Sequence, residues 1–223
     1  MLSLILTEKD SLLKTLYLDS VGSTQKFLKE LIREQKVELP YAVCADIQTD
    51  GIGSRDNSWS GLEGNLFLSF AISLKFLPED LKLESSSIYF SYLLKEVLED
   101  LGSSVWIKWP NDFYLADLKI GGMITNVVSN TLICGVGLNL VNTPKGFSIL
   151  DIKVSKEILL EKYFEKIEKN ISWKQVFSKY KLEFERSQDF YTHNNNLKIS
   201  LKNVELQDDG SIISNGERIY SLR

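Results

Sequence analysis

Two short runs decide the fold and indicate a site: Lys-Trp-Pro-Asn-Asp at residues 108–112 and Lys-Ile-Gly-Gly at residues 119–122. A residue before proline is held in an extended conformation, so the Trp-Pro step presents Asn111 and Asp112 at a strand end. Lys119 opens an apolar strand, and the glycines after it leave room for a ligand against the backbone. Such a lysine offers positive charge to a carboxylate or phosphate, although a solvated hairpin lysine gives the same pattern.

Two further segments have the composition of a ligand site. The loop from Gln48 to Trp59 contains glycines, which allow backbone N–H groups to approach an anion. Arg55 adds the positive charge of a rigid, planar guanidinium group. An ordinary surface loop has the same appearance. The run Gly-Val-Gly-Leu-Asn at residues 135–139 places Asn139 on an otherwise apolar strand. If Asn139 is buried, its amide needs either a ligand or a neighbouring backbone carbonyl.

The pattern around these segments predicts an α+β chain with a small β appendage. Apolar runs and helical periodicity predict strands at 15–21, 41–48, 66–74, 105–109, 112–115, 119–128 and 131–140, and helices at 24–35, 83–101, 156–170 and 173–187. Residues 49–64 form a long loop, which is usually functional in a compact domain. Residues 197–222 alternate apolar and polar around turns at 208–210 and 215–216, which predicts a pair of hairpins. We therefore expect a main domain over 1–188 and a C-terminal β domain over 189–223.

Composition excludes several classes of protein. The 223 residues are 43% hydrophobic and 25% charged, with 4 Pro and 13 Gly, which excludes collagen-like, coiled-coil and disordered chains. A net charge of −4 argues against nucleic-acid binding as the main function.

Cys44 and Cys134 lie in apolar runs and are predicted to be inert core thiols. The apolar start is too short for a signal peptide and nothing approaches a membrane span, so we expect a cytoplasmic protein. His193 is predicted to lie in a solvated loop.

Together these segments resemble the catalytic domain of biotin protein ligase. The matching residues, in order, are Ser23-Thr24, Gln48 before a Gly-rich loop ending at Trp59, the 108–112 run, Lys119, and Gly-x-Gly-x-Asn ending at Asn139. The resemblance extends from about Leu16 to Asn142, and residues 216–223 are similar to a degenerate form of the family's C-terminal ending. It implies a mixed β-sheet flanked by helices, of the class II aminoacyl-tRNA synthetase and biotin synthetase-like type, with a small SH3-like β appendage. Only about a dozen residues precede the first predicted strand, so we expect a short form without an N-terminal DNA-binding domain.

The resemblance also implies a reaction and its participants. Biotin and Mg²⁺-ATP would give biotinyl-5′-AMP and pyrophosphate. A lysine of a biotin carboxyl carrier protein, the acetyl-CoA carboxylase subunit, would then attack the mixed anhydride. The expected ligands are therefore ATP, Mg²⁺ and biotin, with no nucleic acid and no membrane. Related enzymes pair through sheet edges, which leaves a homodimer open.

By the same resemblance, Lys119 would bridge the biotin carboxylate and the α-phosphate, and Asp112 would orient the incoming lysine and accept its proton. Arg55 would supply part of the positive charge. The expected binding residues are Ser23, Thr24 and Gln48 at the ureido ring, Gly51, Gly53, Gly122 and Gly135 through their backbone, Trp59 and Asn139 at adenine, and Asn111 on the phosphate and metal side. No set of metal-ligating side chains is expected.

The Gly-rich loop departs from the family pattern. The family usually has Gly-Arg-Gly-Arg-x-Gly-Arg-x-Trp here, whereas this chain carries Ile52, Ser54 and Asn57 at the positions of three arginines. Only Arg55 remains. We expect a looser loop, with weaker biotin affinity or faster loss of the adenylate.

Two alternatives remain open at this point. Lipoate ligases and octanoyl transferases share the architecture, so the fold alone does not choose the acid. A non-catalytic biotin-binding module is the second alternative, and the lost arginines favour it. The retained Lys119 and Asp112 argue for an enzyme, because a module that only binds has little use for a charged pair there.

Overall fold

The protein is described by a computed structural model covering residues 13–53, 58–59, 61–194 and 197–220. The central sheet contains β1 (Lys14–Val21), β2 (Tyr41–Gln48), β5 (Leu66–Ser73), β6 (Trp106–Lys108), β7 (Asp112–Leu115), β8 (Leu118–Val128) and β9 (Thr131–Leu138). Its order is β1-β2-β5-β9-β8-β7-β6. β1 and β2 are parallel and the other neighbours are antiparallel, which makes the sheet mixed.

Four α-helices flank this sheet in the described part of the chain: α1 (Thr24–Arg33), α2 (Ser86–Asp100), α3 (Lys156–Glu168) and α4 (Trp173–Phe184). Successive side chains along a β-strand point to opposite faces of the sheet. Val43, Ala71 and Ile133 pack with Leu28 of α1 on one face. The larger core, with Phe70 and the other three helices, lies on the opposite face. The predicted mixed sheet flanked by helices is therefore confirmed.

The C-terminal part forms small antiparallel sheets. β10 (Tyr191–Asn194) pairs with β11 (Leu197–Ser200), and β12 (Glu205–Leu206), β13 (Ile212–Ser214) and β14 (Glu217–Ile219) form a three-stranded sheet. The predicted turns at 208–210 and 215–216 are confirmed. Indole N–H groups of Trp109 and Trp173 donate to the carbonyls of Gly210 and Asp208, each at 2.8 Å, and tie this sheet to the main body. The division into residues 1–188 and 189–223 stays a prediction.

Several predicted boundaries need correction. The loop at 49–64 contains a short hairpin of β3 (Gly51–Ile52) and β4 (Ser58–Trp59). His193 lies on β10 rather than in a loop, although it is exposed as expected. Helix α1 ends at Arg33, because Gln35 adopts a φ of 54° that a helix does not allow. Helix α4 ends at Phe184 and continues as a 3₁₀ turn.

Both cysteines are buried free thiols, as the sequence predicted. Burial raises the pKa of the Cys44 thiol to about 12, which keeps it protonated.

Candidate active site

A cavity of about 330 Å³ opens on the face of the sheet that carries α1. Its size is within the range of small-molecule sites. Nine of the predicted site residues line it: Ser23, Thr24, Gln48, Gly53, Trp59, Asp112, Lys119, Gly122 and Gly135. Its lining also contains Gln25, Ser69 and Gly137, which sequence reasoning did not select. The helix start, the β3–β4 hairpin and five neighbouring strands of the central sheet thus meet at one site.

One end of the cavity is charged. Lys119 Nζ lies 2.6 Å from Asp112 Oδ1, and Lys108 Nζ lies 3.4 Å from Asp112 Oδ2. Lys108 also lies over the Tyr114 ring, 5.3 Å from its centroid. Burial alone would raise the pKa of Asp112, but the two lysines outweigh it and hold that pKa below its usual value. The carboxylate therefore stays ionised at neutral pH, with two cations beside it.

The β7–β8 hairpin explains why these charges meet. Asp112 pairs with Gly122 across the two strands, and Lys119 pairs with Tyr114. A Cβ at Gly122 would lie 3.1 Å from Asp112 Oδ1 and 3.4 Å from Lys119 Nζ. Because glycine has no side chain, the ion pair of Asp112 and Lys119 can lie directly above the β8 backbone at Gly122.

The opposite end of the cavity is polar and uncharged. Ser23 caps α1, which places Thr24 in the first turn beside β2. Gln48 Oε1 accepts hydrogen bonds from the Thr24 backbone N–H at 2.8 Å and from Thr24 Oγ1 at 3.0 Å. Thr24 Oγ1 also lies 2.8 Å from Ser69 Oγ. These contacts hold the Gln48 amide oxygen against the start of α1, and the other half of the amide is an NH₂ group with two N–H donors.

The two ends are joined by a floor of glycines. One row across the sheet contains Asp112, Gly122 and Gly137, and the row two residues away contains Gly135 and Ser69. Neighbouring strands lie about 4.8 Å apart and rise about 3.4 Å per residue, so the Cα atoms of Asp112 and Ser69 are roughly 16 Å apart. The site is therefore an elongated slot with an anion-attracting end and a neutral hydrogen-bonding end.

Trp59 covers the charged half of this slot. A Cβ at Gly137 would lie only 2.5 Å from the Trp59 ring, so the indole rests directly on the β9 backbone. Lys119 Nζ is 5.8 Å from the ring centroid. Gly51 does not line the cavity but pairs with Trp59, and a Cβ there would lie 2.5 Å from the Trp59 carbonyl oxygen. Glycines at 51 and 137 thus set the position of the tryptophan.

The two predicted asparagines lie beside the cavity and do not line it. Asn111 Nδ2 donates to the Met123 carbonyl at 2.8 Å. Asn139 Nδ2 donates to Thr143 Oγ1 and to the Ser148 carbonyl, each at 3.1 Å. Of the two alternatives for Asn139, the structure shows the neighbouring carbonyl. Direct contacts of these residues with ATP stay predictions.

Arg55 and two of the three positions that depart from the family pattern, Ser54 and Asn57, lie outside the described residues. Ile52, the third, lines the cavity. In the described part of the chain, no group of three or more His, Cys, Asp or Glu side chains could hold a metal ion. The helices of that same part include none that is long and apolar enough to cross a bilayer.

Fold and site together define a class of protein: a mixed sheet flanked by helices, with a small-molecule slot that holds a lysine–carboxylate pair at one end and uncharged amide and hydroxyl groups at the other. Residues 17–140, more than half of the chain, match the Biotin/lipoate A/B protein ligase family. The chain belongs to this family.

Two solved structures and one curated protein are compared with the chain. The chain is 41% identical to biotin acetyl coenzyme A carboxylase synthetase from Helicobacter pylori, solved with bound biotinylated ATP; the match covers 92% of this chain and 98% of that one, with a TM-score of 0.89. It is 32% identical over 127 residues to the bifunctional ligase/repressor BirA of Escherichia coli, covering 54% of this chain and 38% of that relative. It therefore spans well under half the length of that curated relative. Biotin protein ligase from Aquifex aeolicus shares the fold, with 24% identity, a TM-score of 0.76 and coverage of 94% and 95%.

Proposed function

We propose that this protein is a biotin–protein ligase, which activates biotin with ATP to biotinyl-5′-AMP and transfers the biotinyl group to a lysine of a biotin carboxyl carrier protein. The observation that carries the proposal is the slot with Lys119 at one end and the Gln48–Thr24–Ser69 network at the other. Biotin has the same polarity, with a carboxylate at one end and a neutral cyclic urea at the other.

The polar end favours biotin over lipoate or octanoate. Neither of those acids carries a urea, so each would leave the Gln48 NH₂ group without a partner inside the cavity. A site built to hydrogen-bond a substrate rejects analogues that lack the partner group, because its buried polar atoms then stay unsatisfied.

The charged end suits the first chemical step. A carboxylate oxygen attacks the α-phosphorus of ATP, and the bond from that phosphorus to the departing pyrophosphate breaks. Two anions must approach each other, so a cation between them lowers the barrier. Lys119 supplies that cation when it turns from Asp112 to the substrates. Lys108 remains beside Asp112 and keeps the carboxylate compensated.

Mg²⁺ commonly binds through a few carboxylates and the phosphates of its nucleotide, and Asp112 is the carboxylate that this end of the cavity offers. The ion would neutralise charge on the triphosphate. Since Asp112 already pairs with two lysines, we expect the metal to arrive with ATP.

Asp112 serves the second step. The amine of the carrier lysine attacks the acyl carbon, the bond from that carbon to the phosphate oxygen breaks, and AMP leaves. An ammonium cannot attack, so the lysine must lose a proton first. Asp112 is ionised and ready to orient the ammonium, and it becomes a stronger base once Lys119 has moved to the substrate. The carrier subunit of acetyl-CoA carboxylase is the substrate we propose, and a homodimer remains part of the proposal.

The test is ATP–pyrophosphate exchange with purified protein, run in parallel with biotin, lipoate and octanoate. We expect exchange that depends on biotin and is not inhibited by tenfold higher lipoate. Exchange supported equally by lipoate or octanoate would assign the protein to the other branch of the family. Saturable biotin binding without any exchange would support the non-catalytic binding module.

A further inference from the structure

The turn between β6 and β7, residues 109–111, brings Asp112 to the cavity. Lys108 and Asp112 pair across the two strands, so these three residues alone form the connection. Because the turn is so short, a shift of its backbone also shifts Asp112. The contacts that hold the turn therefore help to set where the Asp112 carboxylate lies.

Asn111 ties the turn to β8. The Asn111 carbonyl accepts the Met123 backbone N–H at 3.2 Å, and Asn111 Nδ2 donates to the Met123 carbonyl at 2.8 Å. These two bonds fix one end of the turn against the strand that carries Lys119. The backbone groups of Trp109 and Pro110 need other partners, because both residues are buried.

Those partners come from α4 and the 3₁₀ turn that follows it. Ser187 Oγ accepts the Trp109 backbone N–H at 2.9 Å, and Tyr180 Oη donates to the Pro110 carbonyl at 3.3 Å. Both side chains are fully buried, and neither belongs to the cavity lining. The turn before Asp112 is thus held by α4 and its 3₁₀ extension as well as by β8.

The hydroxyl of Tyr180 is kept in the form that donates. Burial, together with the carboxylates of Glu183 and Asp112, raises the pKa of Tyr180 well above its usual value, so the hydroxyl stays protonated. Removing this donor would leave the Pro110 carbonyl unsatisfied in the interior. We expect the turn to relax in response, and Asp112 to move with it.

We infer that Tyr180 and Ser187 are positioning residues, which hold the 109–111 turn and so set the reach of the Asp112 carboxylate toward the incoming lysine. This inference rests on the proposed function, because it takes Asp112 as the group that orients that lysine. It assigns a part in the reaction to two residues that lie outside the 17–140 family match.

Tyr180→Phe tests the inference, because it removes one hydroxyl and keeps the ring. The assay is transfer from preformed biotinyl-5′-AMP to a purified biotin carboxyl carrier domain. We expect kcat to fall about tenfold with an unchanged KM for the carrier, because a small displacement of a reacting group lowers the rate rather than the affinity. Biotin-dependent ATP–pyrophosphate exchange should stay within about threefold of the wild type.

Tyr163→Phe is the matched control. Tyr163 is equally buried, and its hydroxyl donates to the Phe90 backbone carbonyl at 2.9 Å, away from the turn. Each variant loses one buried hydrogen bond, so both should melt a few degrees below the wild type, but only Tyr180→Phe should slow transfer. In an Asp112→Ala background, adding Tyr180→Phe should not slow transfer further, because Tyr180 acts through Asp112.

The outcomes separate the inference from the proposed function. If the wild type catalyses neither exchange nor transfer, the proposed function fails and the inference fails with it. If the wild type catalyses both and Tyr180→Phe transfers as fast as Tyr163→Phe, the inference alone fails. An equal loss of transfer in both tyrosine variants, or a further loss in the Asp112→Ala background, would indicate a structural role and overturn the inference.

Ser187→Ala serves as the test if Tyr180→Phe does not fold. Its control is Ser103→Ala, because Ser103 Oγ likewise accepts a backbone N–H, that of Val105 at 3.2 Å, but lies outside the turn. Transfer should slow more in Ser187→Ala than in Ser103→Ala, and equal rates would overturn the inference.

Discussion

Replacing Lys119 by methionine should abolish most of the activation step while leaving the fold intact. The ammonium would lie about 4 Å from the negative charge that develops between the carboxylate and the α-phosphate. At an effective dielectric constant of about 20, a unit charge at that distance contributes about 4 kcal/mol. This corresponds to a loss of about 10³-fold in the rate of biotin-dependent ATP–pyrophosphate exchange. Lys108 does not replace the lost cation, because it is held by Asp112 and the Tyr114 ring.

The structure also predicts that this variant folds. Asp112 keeps Lys108 at 3.4 Å, so the substitution does not leave a carboxylate without a counter-ion. The melting temperature should stay within a few degrees of the wild type. Lys202→Met is the matched control, because Lys202 is exposed and outside the cavity lining. Exchange within threefold of the wild type in Lys119→Met would refute the role assigned to Lys119.

Four further predictions concern the same site. Asp112→Ala should slow transfer to a carrier protein more than it slows adenylate formation, measured as two separate half-reactions; equal losses would contradict the division of steps. Because Lys119 and Lys108 hold the pKa of Asp112 below its usual value, the Asp112 carboxyl of the ligand-free protein should stay ionised as pH falls from 7 to about 5; protonation above pH 5 in a carboxyl NMR titration, with the signal assigned by its absence in Asp112→Ala, would contradict this. Restoring the family's arginines with Ile52→Arg and Ser54→Arg should slow adenylate release in a filter-binding assay, and an unchanged release rate would mean that the loop is held in another way. Gly137→Ala should displace Trp59, because a Cβ there meets the indole at 2.5 Å, and should change the tryptophan fluorescence and raise the KM for both substrates; unchanged kinetics would show that the position of Trp59 is unimportant.

The sequence was most informative where the site is local. Asp112 and Lys119 are seven residues apart on one hairpin, so the motif and the turn predict their meeting without knowledge of the rest of the fold. The cap at Ser23 and the strand ending at Gln48 could likewise be recognised from residue types alone. Their chemical roles stay predictions until ligands are bound.

The remaining site residues depend on register between distant strands. Ser69 reaches the cavity because β5 pairs with β9 so that Ser69 faces Gly135, and no local pattern specifies that pairing. Gly137 likewise reaches the cavity only through the pairing of β9 with its neighbouring strands. The partner of Asn139 was ambiguous in the sequence because a buried asparagine amide can donate to any nearby acceptor. The acceptor here, the Ser148 carbonyl, lies in a loop whose position the sequence does not specify. Gln25 could have been selected, since a glutamine at the start of a helix beside a predicted ligand contact is a simple polar signal.

The most direct test of the slot is a crystal structure of the protein soaked with biotin alone. We expect the carboxylate within hydrogen-bonding distance of Lys119 Nζ and the urea against Gln48 and Thr24, with the Lys119–Asp112 contact lengthened. A ligand bound in the reverse orientation, with its ring beside Lys119, or one bound outside this cavity, would contradict the account.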